Sequence, residues 1–382
     1  MSPPYANSNF ITVGHVIHAF TVGGEERELL NIVTYGNKSK FRHVIVALTV
    51  AGDFARGLDS ESCRVVELRK QPGNDLQLPF RIAAVLRDSG VDVLHARGWS
   101  TMVEAALASR VARMKGAMYA FHGKTIDELD HIPLKRRLAQ GLVIRLYDRV
   151  VTLNNRMRID LANECNLNRN RIQVVHNGID VDLFSPSREK QALRECYGLP
   201  TNRFIVGNVA RLDPVKNHET ILKVLDRLRN QDDRPFFLLV GEGQHRSILE
   251  REIERLGLAD DVFLFGHSNK VFDLLNCMDA YVQSSLYEGA SHTLVEAMAC
   301  GVPVIATNVG GTADLIDETQ EGLLFPSRDD QSLAILIREL QRDKDRRQQM
   351  GIRARQRAVN MYSVRTMVQS YESLYLDLAG AR

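Results

Sequence analysis

Short apolar runs and amphipathic segments alternate along most of the chain. Residues 10–19, 43–48, 65–68, 91–95, 117–120, 149–153 and 172–175 are apolar runs of strand length. Between them, residues 25–33, 78–88, 101–109 and 156–164 carry apolar positions at helical spacing. Strands alternating with helices predict a parallel, doubly wound sheet. The pattern pauses at 185–195, where Ser185-Pro186-Ser187 and a charged run read as a linker, and then starts again. Strands are predicted over 204–209, 236–240, 261–265, 280–284 and 302–307, and helices over 219–228 and 293–300. Gly301 and Pro303 close the helix 293–300 as a C-cap followed by a breaker. Charged helices over 330–340, 343–360 and 364–378 finish the chain. The fold class is therefore α/β, with two domains of similar construction.

Composition agrees with this and narrows the functions. A chain of 382 residues is long for one core, so two domains is the expectation. With 44% hydrophobic and 25% charged residues, it has the make-up of an ordinary globular protein. A net charge of +2 gives no global case for binding nucleic acid. The five cysteines are scattered without CxxC spacing, which argues against a zinc site or a disulfide framework. The N-terminus lacks the basic-then-apolar form of a signal peptide, and no apolar run approaches the roughly 20 residues of a membrane span. A cytoplasmic protein is expected. One local patch stands out over 134–149, where Lys135, Arg136, Arg137, Arg145 and Arg149 are interleaved with Leu134, Leu138, Leu142, Val143 and Leu146. Such a basic amphipathic helix has either a solvated charged face or an attraction to anionic lipid headgroups, which would make the protein peripheral to the membrane.

The richest stretch is residues 279–311, DAYVQSSLYEGASHTLVEAMACGVPVIATNVGG. It places Glu288 in a loop and Glu296 on the following helix, seven residues between them. Ser291 is the expected N-cap, so the amides of His292, Thr293 and Leu294 would suit an anion, especially a phosphate. Acids for hydroxyls beside amides for phosphate suit a sugar nucleotide. Arg211 and Lys216, five positions apart in a strand-to-helix loop, could clamp a diphosphate from two directions. Gly23-Gly24 follows the first strand and would let the backbone turn sharply and approach a ligand, though a Gly-Gly turn is equally a tight βα turn. His122 ends another strand beside Gly123, and a lone histidine is as often structural. Asp180-Val-Asp182 imitates a metal-binding DxD but reads as a turn.

The Glu288-x7-Glu296 spacing followed by AMACGVPVIATNVGG resembles the signature of retaining glycosyltransferases of family 4, the group 1 glycosyl transferases. RHVIVALT and KQPGND are similar to exosortase-associated exopolysaccharide sugar transferases. The resemblance implies the GT-B fold, two Rossmann-like domains facing an interdomain cleft. On it, residues 1–182 would bind the acceptor, 183–362 the donor, and 363–382 would cross back to the first domain. It implies Glu288, Arg211, Lys216 and His122 at the reacting centre. Glu296 would hold the ribose, and Ser291, His292, Thr293 and Leu294 would lie near the phosphates and sugar. Backbone at Phe265 and Gly266 would hold the base, with Gly241 nearby, and Gly23 and Gly24 would lie under the donor phosphates. No metal or other cofactor is implied; the nucleotide-sugar is a co-substrate, with UDP favoured over GDP. The implied partners are that donor and a saccharide or lipid-linked acceptor, with the patch over 134–149 against an anionic membrane surface, and no nucleic acid. Many members have Phe-Gly after the first Glu-Gly, whereas this chain has Ala290-Ser291, so the sugar is not implied. A transferase to a soluble acceptor, a sugar-nucleotide epimerase and a non-catalytic nucleotide-sugar-binding scaffold stay open as alternatives. A glycosidase pair is disfavoured by the phosphate-binding cations.

Overall fold

A computed structural model describes residues 10–21, 23–123, 134–318 and 320–380. The elements of the first half are β1 (Ile11–Ile17), α1 (Gly24–Tyr35), β2 (Phe41–Ala47), α2 (Asp53–Arg56), β3 (Cys63–Glu67), α3 (Leu78–Asp88) and β4 (Val93–Arg97). They continue with α4 (Met102–Ala112), β5 (Gly116–Phe121), α5 (Leu134–Ile144), β6 (Arg149–Thr152), α6 (Asn155–Cys165) and β7 (Ile172–Val174). All of these strands join one parallel sheet in the order β3-β2-β1-β4-β5-β6-β7. Strands buried on both faces read as near-continuous apolar runs, which is why β2 and β4 show little alternation.

The second half begins with α7 (Lys190–Cys196) and continues through β8 (Ile205–Val209), α8 (His218–Leu228), β9 (Phe236–Val240), α9 (Arg246–Leu256), β10 (Val262–Gly266) and α10 (Val271–Asn276). Next come β11 (Ala280–Gln283), α11 (His292–Ala299), β12 (Val304–Thr307), α12 (Thr312–Leu315), β13 (Gly322–Phe325), α13 (Asp330–Arg342), α14 (Lys344–Met361) and α15 (Val364–Ala379). Its strands form a six-stranded sheet, β10-β9-β8-β11-β12-β13, again parallel. In both sheets the strand order reverses beside the first strand of the unit, the place where open α/β sheets take their ligands.

The chain divides into two compact units: residues 1–178 with 364–382, and residues 179–363. The C-terminal helix α15 belongs to the first unit. Its buried Met367, Val368, Tyr371, Leu374 and Tyr375 share a core with Val13, Ile32, Phe41, Val93 and Val151. No helix among the described residues is long and apolar enough to cross a membrane.

Two segments differ from the sequence reading. The charged run expected as linker contains α7, because Arg194 is buried and bonds Cys277 O at 2.9 Å and Asp279 at 2.6 Å, while Lys190 reaches Asp279 at 2.8 Å. Burial alone would raise the Asp279 carboxyl, but these two cations hold it below the usual range. The amphipathic helix expected over 134–149 stops at Ile144. Arg145 instead bonds the carbonyls of Gly141 and Asn166 at 2.6 and 2.9 Å, where α5 and α6 end, and Arg149 opens β6. Asp180 is a turn residue, accepting from the amides of Asp182 and Leu183 at 3.0 Å each.

Candidate active site

In the second unit, β11 runs out through Ser284 and Ser285 into the loop that carries Glu288. The Glu288 residue is 7% exposed, and its Oε1 stands 2.7 Å from Lys216 Nζ and accepts from the Ser285 hydroxyl at 2.6 Å. Lys216 comes from the neighbouring strand: a short turn, Pro214–Lys216, follows β8, and Asn217 at φ 53° swings the chain into α8. The Ser284 hydroxyl reaches the carbonyls of Lys216 and Asn217 at 2.9 and 3.0 Å, and Leu286 N donates to Val215 O at 2.8 Å. Two loops from adjacent strand ends are thus tied together by backbone and hydroxyl bonds. The Lys216–Glu288 pair is preset by the fold.

Behind it, Gly311 N donates to Glu288 O at 3.0 Å. Gly310 has φ 54°, and a Cβ there would lie 1.9 Å from that same carbonyl oxygen. Gly310→Ala is therefore expected to cost about 1–3 kcal/mol and to displace the Glu288 loop. Urea unfolding would measure it, and an unchanged midpoint would show that the loop adapts.

Ser291 caps α11, accepting from Leu294 N at 3.3 Å and donating its own proton to Gln283 Oε1. Along α11, His292, Thr293 and Glu296 are half-buried and every other position is buried, so these three share one face. The Thr293 and Tyr281 hydroxyls are 2.9 Å apart. Arg211, just past β8, has 77% of its side chain exposed and lies 3.1 Å from Asp213. At the neighbouring strand ends Gly241 N donates to Gly266 O at 2.9 Å, and the Phe265 ring packs on Tyr197 and Phe263 at 5.8 and 5.7 Å.

In the first unit, Gly23 precedes α1, its carbonyl accepting from Arg27 N at 3.0 Å, and Gly24 is the first helical residue. His122 follows β5, with Nε2 3.9 Å from Glu25 Oε1 and Nδ1 3.8 Å from Glu28 Oε2. Glu28 is 2% exposed and pairs with the equally buried Arg97 at 2.8 Å. Burial alone would raise the Glu28 carboxyl, but His122 and Arg97 hold it below the usual range.

Residues 22–183 match Glycosyltransferase Family 4, and residues 189–357 match Glycosyl transferases group 1. The chain is a group 1 glycosyltransferase. This glycosyltransferase is 28% identical over 311 residues to N-acetyl-alpha-D-glucosaminyl L-malate synthase of Bacillus anthracis, covering 80% of each chain. It is 24% identical over 322 residues to the UDP-Gal:alpha-D-GlcNAc-diphosphoundecaprenol alpha-1,3-galactosyltransferase of Escherichia coli, covering 83% of this chain and 82% of that one. Among solved structures, HepE of Anabaena in complex with UDP superposes with a TM-score of 0.83 at 22% identity, over 96% of this chain and 100% of that one. A glycosyltransferase from Rickettsia africae superposes at 0.85 with 21% identity, over 97% and 99%. These likenesses show the GT-B fold.

Within the glycosyltransferase, Glu288 and Lys216 stand together as one pair, and His292, Thr293 and Glu296 line one helix face. In the other unit His122 stands beside Glu25 and Glu28 of α1, the helix that Gly23 precedes and Gly24 begins. Two expectations need correction. The Leu294 amide is engaged by the Ser291 hydroxyl, because an N-cap serine takes one of the helix's unpaired donors. Gly23 is extended, at φ −172°, a conformation open to any residue, so no sharp turn requires it. Sequence reasoning missed Ser285, Gln283 and Asn217, which hold the Glu288 loop, and Glu25, Glu28 and Arg97 around His122. Glu25 and Glu28 had one available signal: they follow the Gly-Gly pair at helical i, i+3 spacing on α1.

Proposed function

We propose that this glycosyltransferase moves a sugar from a UDP-sugar to an acceptor hydroxyl with retention at the anomeric carbon, the acceptor being a lipid-linked saccharide of surface-glycan synthesis. The observation that carries the reading is the preset Lys216–Glu288 pair at the strand ends of the second unit. The relatives support the donor: HepE is solved with UDP and with UDP-glucose, and the Escherichia coli relative is named for UDP-Gal. That relative is also named for a diphosphoundecaprenol acceptor, and similar proteins of Bacillus subtilis are named EpsF and EpsD.

The chemical difficulty is charge. The bond from the anomeric carbon to the diphosphate oxygen breaks, and its electron pair leaves with the diphosphate while the sugar gains oxocarbenium character. The acceptor oxygen bonds to the same face of that carbon, and its proton passes to the departing phosphate oxygen. Preorganised positive charge lowers the barrier at the leaving group, and Lys216 with Arg211 provides it, so no metal is invoked. The α11 N-terminus, behind Ser291 and presenting His292 and Thr293, adds its dipole. Glu288 accepts from sugar hydroxyls and Glu296 from the ribose. Backbone at Gly241, Phe265 and Gly266 receives the base. His122 belongs to the sugar side, and Gly23-Gly24 to the donor phosphates. A membrane-embedded acceptor fits α5, where Leu138 and Leu142 are exposed beside Lys135. The Bacillus anthracis relative, named for L-malate, favours a soluble acceptor as the second reading.

A donor screen tests the reading. The purified protein is mixed with UDP-, GDP- and ADP-sugars without acceptor, and binding and release of the nucleoside diphosphate are followed. Preference for one UDP-sugar with slow release of UDP is the expected result. Conversion to an isomeric sugar nucleotide would point to an epimerase instead. Turnover that L-malate stimulates and lipid-linked saccharides do not would select the soluble acceptor.

A further inference from the structure

Among the described residues, two buried polar atoms beside one another have no hydrogen-bond partner: Nε2 of His122 and Oε1 of Glu25. Folded proteins hold few such atoms, and two facing one another beside a strand end mark a place shaped for a polar group. The Glu25 carboxylate lies over Gly98, both its oxygens 3.0 Å from where a Cβ would stand. Glu28 is committed, Oε1 accepting from Arg97 Nη1 at 2.8 Å, and it is 2% exposed.

The distances say what kind of group fits. His122 Nε2 and Glu25 Oε1 are 3.9 Å apart, too far for a hydrogen bond. One oxygen placed about 2.8 Å from each would bridge them at close to a right angle. A hydroxyl satisfies both: it accepts from an imidazole Nε2–H and donates its proton to the Glu25 carboxylate. A carbonyl has no proton for Glu25, and an anion would meet two carboxylates.

We propose that Glu25 and His122 form a clamp for one saccharide hydroxyl, and that Glu28, anchored by Arg97, is the positioning residue that turns His122 toward it. The proposal rests on the sugar-nucleotide reading above and adds Glu25 as a group that touches sugar. Donor and acceptor sugars both carry hydroxyls, so the experiment has two arms. The probes are UDP, UDP-glucose (or whichever UDP-sugar the donor screen selects) and the octyl glycoside of N-acetylglucosamine. Titration calorimetry measures UDP affinity, and UDP release is followed with water and then with the octyl glycoside as acceptor.

Glu25→Ala is expected to keep UDP affinity within twofold while kcat/KM falls about tenfold. A loss already present with water assigns the clamp to the donor sugar, and a loss confined to the glycoside assigns it to the acceptor. Glu25→Gln, which keeps an oxygen, should recover most of the activity, as a merely structural role would not require. Glu28→Gln should lower kcat more than it raises KM. Glu25→Ala with wild-type constants in both arms would overturn the clamp. A wild type that neither binds UDP nor releases it would overturn the donor reading itself, and the wild-type control separates the two failures.

Discussion

Glu288→Ala is expected to lower turnover by two to three orders of magnitude while leaving the protein folded. The loss follows from what the carboxylate does in this fold. One of its oxygens takes both Lys216 Nζ at 2.7 Å and the Ser285 hydroxyl at 2.6 Å, so removing it frees a cation and strands a buried hydroxyl. Removing one preorganised contact to developing charge commonly costs about 3 kcal/mol, or a hundredfold and more in rate. The Glu288 loop itself stays tied through Leu286 N to Val215 O and Gly311 N to Glu288 O, which are backbone bonds that alanine keeps. A double-mutant cycle with Lys216→Ala then divides the effect. If Glu288 acts only by holding Lys216, the double variant is no slower than the worse single one. If Glu288 also grips the sugar, the losses add in part. Steady-state rates with UDP-sugar, alongside thermal unfolding, decide it, and undiminished turnover in folded Glu288→Ala would remove Glu288 from the reacting centre.

What the sequence made legible is what local pattern determines. The run FFLLV, apolar on both faces and bounded by Pro235 and Gly241, reads as the strand Phe236–Val240, and LPFRIAAVLRD reads as the helix Leu78–Asp88; the structure has both with those ends. Ser291 is legible as an N-cap because the hydroxyl and the helix that follows it are neighbours in sequence. The sequence reading passed over β13, only four residues long, and α9, where only Leu249 and Ile253 are buried among charged neighbours. The charged run before β8 read as linker because its organising partner, Asp279, lies more than eighty residues away. The same reason hid the surroundings of His122. On α1 alone Glu28 is one more helix glutamate, and it is the approach of Arg97 from β4 that makes it a buried ion pair. Local order was readable from periodicity. Polar partnerships between distant segments were not, because nothing in either segment announces the other.

The largest stability effect expected of this chain comes from such a hidden partnership. His43, His15 and His95 lie side by side on β2, β1 and β4, all buried, with ring centroids 5.2 and 5.4 Å apart. His15 Nε2 and His43 Nδ1 are 3.0 Å apart, so one must accept and the two cannot both be fully protonated. His95 Nδ1 lies 2.8 Å from the Tyr375 hydroxyl and 3.4 Å from Arg97. Burial first, and Arg97 next, push His43 down to about 3. Burial likewise pushes His15 and His95 well below the usual histidine range, with neighbouring imidazoles and Arg97 adding to it. In the unfolded chain these imidazoles take up protons near pH 6.5, whereas in the folded unit they refuse them. Below that pH the unfolded state therefore binds more protons, and stability falls as the pH falls. From pH 7 to pH 5, His43 alone removes about 2 kcal/mol, and His15 and His95 act in the same direction. In the second unit, burial and then Lys216 push His218 down to about 4. Trp99 is the chain's single tryptophan and lies in the first unit, so its fluorescence follows that unit during denaturant unfolding. The Trp99 midpoint is expected to drop steeply between pH 7 and pH 5, and His43→Asn should flatten that slope by about 2 kcal/mol over the interval. A variant that keeps the full slope would show that His43 is protonated in the folded unit and that the row of histidines carries charge.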